Sequence, residues 1–98
     1  MTAPLHVIAR IKASPESLDD LIASMRIMVE EVREEPGCLR YDLTQSQDDP
    51  TVLVFVEEWA TRADWEAHME GAAIARHRAR TRPEMILDAE VHALGQIA

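Results

Sequence analysis

The sequence predicts an α+β domain: a ferredoxin-like βαββαβ plait in which helices cover one face of an antiparallel sheet. Three observations predict it. Segments with apolar residues at every second position alternate with segments where they recur every three or four, in the order strand, helix, strand, strand, helix, strand. One strand, residues 52–59, is apolar at both parities and so requires burial on both faces. The length of 98 residues, 47% of them hydrophobic, suits a single domain spanning residues 1–98, with no internal repeat or long linker to divide it.

The elements follow in order. Leu5, Val7, Ala9, Ile11 and Ala13 alternate with His6, Arg10 and Lys12, with Ile8 out of phase, which is a strand buried mainly on one side. Ser14-Pro15 supplies an N-cap and a proline at the first helical position, where its missing N–H leaves no bond unmade. Leu18, Leu21, Ile22, Met25, Met28, Val29 and Val32 then share one helix face, and Asp19, Asp20, Glu30, Glu31 and Glu34 form the solvated one. Pro36-Gly37 ends this helix, glycine being free to adopt the left-handed cap. Leu39, Tyr41 and Leu43 alternate with Arg40, Asp42 and Thr44, which reads as an edge strand with one polar side. Asp48-Asp49-Pro50-Thr51 is turn chemistry.

The next strand carries Val52, Val54 and Val56 on one face and Leu53 and Phe55 on the other. Thr61-Arg62-Ala63-Asp64 resembles a capping box opening a second helix, whose inner face would hold Trp65, His68, Met69 and Ala72. Gly71 breaks that helix before the run from Ala72 to Thr81, and Pro83 ends it. Val91, Ala93 and Ile97 indicate a last strand with His92 on its other side. Helices can cover only one face of this sheet, so the valine face of residues 52–59 is expected to pack on a second copy of the chain, giving a homodimer.

Charge and composition exclude several roles. Ten Lys and Arg against 18 Asp and Glu give a net charge of −8, which repels nucleic acid and anionic membrane surfaces. The run Arg76-His77-Arg78-Ala79-Arg80-Thr81-Arg82 is the local exception; it reads as a solvated helix face and chain anchor, with His77 solvated within it, or else as a rim attracting an anionic ligand. No apolar run approaches the roughly 18 residues of a membrane span. Cys38 stands alone, and MTAPLHVIARIK lacks the charged start and apolar core of a signal peptide, so a cytoplasmic location is expected.

Sites for tightly bound groups are not indicated either. His6, His68, His77 and His92 show no metal-ligand spacing, no Cys pair exists, and three glycines compose no phosphate-cradling motif, so neither a metal nor a cofactor is expected. The serines Ser14, Ser17, Ser24 and Ser46 fall at a cap, in a helix or in a polar loop, positions that do not present a nucleophile. Cys38, just past a helix C-terminus where a thiolate is disfavoured, reads as a packing residue.

One constellation remains. The chain has four aromatics, Tyr41, Phe55, Trp59 and Trp65, and two of them lie near His68 and Met69 on the inner face of the second helix. A histidine in an apolar cavity is neutral near pH 7 and able to accept a proton from an acidic phenol or enol, while aromatic walls suit a flat ligand. Tyr41 is a candidate for the cavity edge. Glu58 and Trp59 are strand neighbours pointing to opposite faces, so at most one of them lines the cavity and the other belongs to the dimer face. For the same reason Glu57 and Glu58 cannot act on one bond as a carboxylate pair. The alternative for Trp65, His68 and Met69 is a plain core.

The segments Glu35-Pro36-Gly37-Cys38-Leu39-Arg40-Tyr41, Asp48-Asp49-Pro50, Glu57-Glu58-Trp59 and Ala67-His68 together, in this order, resemble the antibiotic biosynthesis monooxygenase (ABM) family, small stand-alone quinol monooxygenase type, over about residues 5–97. The resemblance implies a dimeric α/β barrel of two plaits, each with a pocket between helices and sheet. It implies oxygenation of a small aromatic phenol or quinol by molecular oxygen without metal, flavin or haem. In that chemistry His68 would be base or orienting group, with Trp65, Tyr41, Trp59, Glu58 and Met69 as substrate-binding candidates. Gly71-Ala72-Ala73-Ile74 lacks the aromatic that related proteins often carry there, which implies a roomier pocket. Haem-degrading relatives use an asparagine on the first strand, absent here. The same scaffold hosts cofactor-free isomerases of small metabolites and non-catalytic ligand-binding modules, and these stand as alternatives.

Overall fold

A computed structural model describes residues 3–98, so Met1 and Thr2, the start of the segment read above for a leader, lie outside the described residues. The strands are β1 (Leu5–Ala13), β2 (Cys38–Gln45), β3 (Val52–Trp59) and β4 (Ile86–Leu94), and the helices α1 (Leu18–Val32), α2 (Arg62–Met69) and α3 (Ala72–Arg80). They form one four-stranded sheet in the order β2-β3-β1-β4 with every pair antiparallel, which is the ferredoxin-like plait the periodicities predict.

Strand parity sorts the side chains as expected, with two local exceptions. On β3, Leu53, Phe55, Glu57 and Trp59 are buried toward the helices, whereas Val52, Val54, Val56 and Glu58 are half-buried on the outer face. Ile8, out of phase on β1, pairs with Val56 and so extends the outer apolar strip. Leu39 was expected to share a face with Tyr41 and Leu43, but it is 57% exposed. The register explains this: Cys38 faces Trp59 and Arg40 faces Glu58, leaving Leu39 as the extra residue of a bulge. A second slip, between Lys12 and Ala13 on β1, does the same to Leu87 on β4. Ile97 lies past the end of β4 and is fully exposed, so it is not a strand residue.

Helix α1 packs Leu21, Met25, Met28, Val29 and Val32 onto the sheet, the stripe its spacing predicts. Its start differs from expectation. Ser14-Pro15 opens a short 3-10 turn, Pro15–Ser17, and α1 begins at Leu18. Glu31, assigned to the solvated face, is paired with Arg76 and Arg80 and ties α1 to α3. The β2–β3 turn is fixed by Asp49, which accepts from Lys12 Nζ at 2.6 Å and from the Thr51 backbone N–H at 3.1 Å. These bonds hold its carboxyl at about 2, well below the usual carboxylate value. The helices leave much of β4 uncovered: Val91 and Ala93, opposite Ala9 and Val7, face inward yet remain exposed.

Candidate active site

The position of His68 is set by how α2 docks. Thr61 caps the helix, its hydroxyl oxygen accepting from the Asp64 backbone N–H at 3.1 Å, as the sequence indicated. Gly37 adopts φ 78°, and a Cβ there would lie 2.1 Å from the Asp64 carboxylate, so only glycine lets the α1–β2 turn meet the start of α2. The Ala60 backbone N–H donates to Gly37 O at 2.8 Å and closes this junction. Gly71 ends α2 and caps α3, which resets the helical phase: Ala73, not the expected Ala72, is the buried alanine.

Docked in this way, His68 is 2% exposed. Its ring stacks on Trp59 at 4.7 Å between centroids and meets Tyr41 edge-on at 5.4 Å. Its Nδ1 lies 2.7 Å from Glu35 Oε1. A carboxylate only accepts, so Nδ1 carries the proton and Nε2 keeps a free lone pair. Among the described residues nothing hydrogen-bonds Nε2. Burial lowers the imidazole's basicity, and the Glu35 hydrogen bond and charge partly restore it. The ring is therefore neutral near pH 7, with a charge-backed lone pair.

His68 borders a cavity of about 450 Å³ between sheet and helices, a volume within the usual range for small-molecule sites. Tyr41, Phe55, Met69, Ile74 and Met25 give it mostly apolar walls, and Arg78 and Arg82 belong to its lining where α3 runs into the following turn. Tyr41 is held protonated, its phenol pushed far above its usual value first by burial and then by the Glu57 and Glu35 carboxylates. It can donate a hydrogen bond but is no base. Of the residues singled out from sequence, His68, Tyr41 and Met69 line this space.

The others are placed elsewhere. Trp59 is fully buried behind the His68 ring. Trp65 packs against the core margin, with the Arg62 guanidinium 5.2 Å from its ring centroid, and does not line the cavity. Glu58 lies opposite Arg40 and His6 in the strand register, on the outer sheet face, and cannot reach a ligand beside His68. Cys38 is a thiol pushed up by burial, then by Glu35 and Glu57, in keeping with a packing role.

Three further residues belong to the site. Glu35 stands in the Glu-Pro-Gly segment; only the fold brings it to His68, 33 positions away. Glu57 is buried, lines the cavity and accepts from Trp59 Nε1 at 3.0 Å; burial raises its carboxyl to about 7. Parity alone could have found it, as the one acid on the Leu53, Phe55, Trp59 face. His77 was expected in solvent, but it is 8% exposed, lines the cavity and lies 2.9 Å from Ser24 Oγ. Arg76 and Arg80 are turned to Glu31, and Arg80 also to Ser24, so the basic run anchors α3 while His77 faces inward. Among the described residues no three His, Cys, Asp or Glu side chains converge.

An antiparallel plait that sets an acid-backed imidazole against an apolar cavity is a ferredoxin-like domain with a candidate small-molecule site. The chain belongs to the antibiotic biosynthesis monooxygenase (ABM) family, whose model matches residues 4–80. Over 80 residues it is 33% identical to Rv0793 of Mycobacterium tuberculosis, named "Putative monooxygenase", covering 82% of this chain and 78% of that protein. It is 30% identical over 67 residues to the Synechocystis protein sll1783, covering 68% of this chain and only 46% of that longer protein. Among solved structures, PA3566 from Pseudomonas aeruginosa superposes with a TM-score of 0.91 at 31% identity, over 100% of this chain and 98% of that one.

Proposed function

We propose that this chain is a cofactor-independent monooxygenase that oxidises a small aromatic phenol or quinol with molecular oxygen. The observation that carries the reading is the buried Glu35–His68 hydrogen bond, which leaves the second imidazole nitrogen free where the ring borders the cavity. His68 Nε2 takes the phenolic proton, and Glu35 stabilises the imidazolium that results. The ring anion reduces oxygen itself, so the electrons come from the substrate. Radical recombination forms a C–O bond at a ring carbon bearing hydrogen, and the imidazolium returns its proton to the distal oxygen. Loss of the carbon-bound proton with cleavage of the O–O bond leaves a carbonyl and water, one oxygen atom in each.

Phe55 and the protonated Tyr41 support this reading by giving a flat ligand aromatic neighbours, and the apolar walls keep water from the anion. The working unit on this account is a homodimer, the outer strip of Ile8, Val52, Val54 and Val56 packing on the same strip of a second copy. Oxygen-electrode assays with a panel of hydroquinones and naphthols test the activity: at least one should be consumed with uptake of oxygen. Equal turnover of the accepted compound under argon would instead identify an isomerase, and saturable binding without turnover a ligand-binding module.

A further inference from the structure

The cavity contains a second imidazole whose protonation is fixed by its neighbours in the opposite sense to His68. Ser24 Oγ accepts from Arg80 Nε at 2.9 Å, and a guanidinium has no acceptor to offer in return. The Ser24 hydroxyl still has one proton to donate, and among the described residues the acceptor in hydrogen-bond range of it is His77 Nδ1, 2.9 Å away. Arg80 also donates to the Ser24 carbonyl at 3.1 Å, which holds the guanidinium in place. Burial, then Arg80 and Arg78, lower the basicity of His77, so the ring is neutral. A neutral ring that accepts at Nδ1 carries its proton on Nε2. Among the described residues nothing accepts from that Nε2–H, and His77 lines the same cavity as His68.

From this geometry we infer that His77 is a ligand-reading residue: the Arg80–Ser24–His77 relay fixes a hydrogen-bond donor at the cavity, and the substrate carries a matching carbonyl or oxyanion in addition to its hydroxyl. The cavity then has two unlike poles. His68, backed by Glu35, accepts; His77, backed by Ser24, donates. A compound with hydroxyl donors alone satisfies the first pole and leaves the second unpaired when water is displaced, which costs affinity. Arg78, which lines the cavity and makes no ion pair among the described residues, adds positive potential to it. The inference deepens the proposed function, because it rests on the cavity being the substrate site.

Calorimetric titration with three two-ring probes tests it: 6-hydroxy-1-tetralone, 5,6,7,8-tetrahydro-2-naphthol, which lacks the carbonyl, and 6-methoxy-1-tetralone, which lacks the hydroxyl donor. The carbonyl should tighten binding about tenfold in the wild type, the upper end for one neutral hydrogen bond. That ratio should fall to about one in His77→Leu and return in His77→Gln, whose amide N–H replaces the Nε2–H donor. The preference for hydroxyl over methoxy should persist in both variants, because it reads His68. A carbonyl ratio unchanged by His77→Leu, or not restored by His77→Gln, overturns the inference. Oxygen uptake with a carbonyl ratio of one in the wild type would refute this inference and leave the oxygenase reading intact. A tenfold ratio without oxygen uptake would do the reverse.

Discussion

Replacing Glu35 by glutamine keeps an acceptor beside His68 Nδ1 but removes the charge that offsets the cost of protonating a buried ring. The expected result is a kcat/KM lower by about tenfold, less than the roughly 100-fold or more a positioned base contributes because His68 itself remains, with KM little changed. The pH profile gives an independent check. Burial holds His68 below its ordinary value of 6.5, so activity should be flat near neutrality and fall only on the acid side of that value. In Glu35→Gln this acid limb should move to lower pH. Glu57 behaves in the opposite sense. Its folded carboxyl titrates at about 7 against 4.5 in the unfolded chain, so the native state binds the extra proton and stability declines as pH rises through that window. Glu57→Gln keeps an acceptor for Trp59 Nε1 and removes the charge; its stability advantage over wild type in urea melts should grow from pH 4.5 to 7, reaching about 2–3 kcal/mol. Of these groups, His68 was legible in the sequence because an apolar helix face surrounds it. Glu35 was not, since its role depends on a contact across 33 positions. His77 was masked by four arginines, of which Arg76 and Arg80 find their partners on α1 and Arg82 in the turn after α3.

At the scale of elements, the helix carrying His68 depends on its N-terminal junction. Gly37→Ala places a methyl on the Asp64 side chain at a φ of 78°, and the left-handed backbone strain alone costs roughly 1–2 kcal/mol. Chemical denaturation should show at least that loss, and activity should fall further than unfolding accounts for because α2 is displaced. Thr61→Ala removes the cap bond from the Asp64 N–H and the exposed bond from the Thr61 hydroxyl to Asp64 Oδ2, and should cost about 1 kcal/mol. The strands and helices themselves were readable because each follows its own period. The bulges were not: nothing in Cys38-Leu39-Arg40 marks Leu39 as the residue without a partner, and the slip exists only in the pairing with β3. The start of α1 shifted for a related reason. Ser14-Pro15 is as suited to a 3-10 turn as to an α-helix, and the Ser14 backbone N–H bonded to Met85 O holds it as a turn.

For the molecule as a whole, the plait was legible from the order of periods and the doubly apolar β3, whereas the cavity was not, because its volume depends on how α3 and the turn at Pro83 sit over β1 and β4. The proposed homodimer would pack through the half-buried strip of Ile8, Val52, Val54 and Val56. Sedimentation should give twice the chain mass at micromolar concentration, and Val54→Asp, which would bury a charge in that interface, should give the monomer. A wild-type monomer would remove the homodimer from the account. No helix among the described residues is long and apolar enough to cross a membrane. The central claim is that the lone pair of His68 starts the chemistry. It is tested most directly by the initial rate of oxygen consumption on one accepted phenol, wild type against His68→Ala, with folding of the variant verified by circular dichroism. A loss of about 100-fold or more is expected, the contribution of a positioned base; a folded variant that consumes oxygen at the wild-type rate would rule out this role for His68.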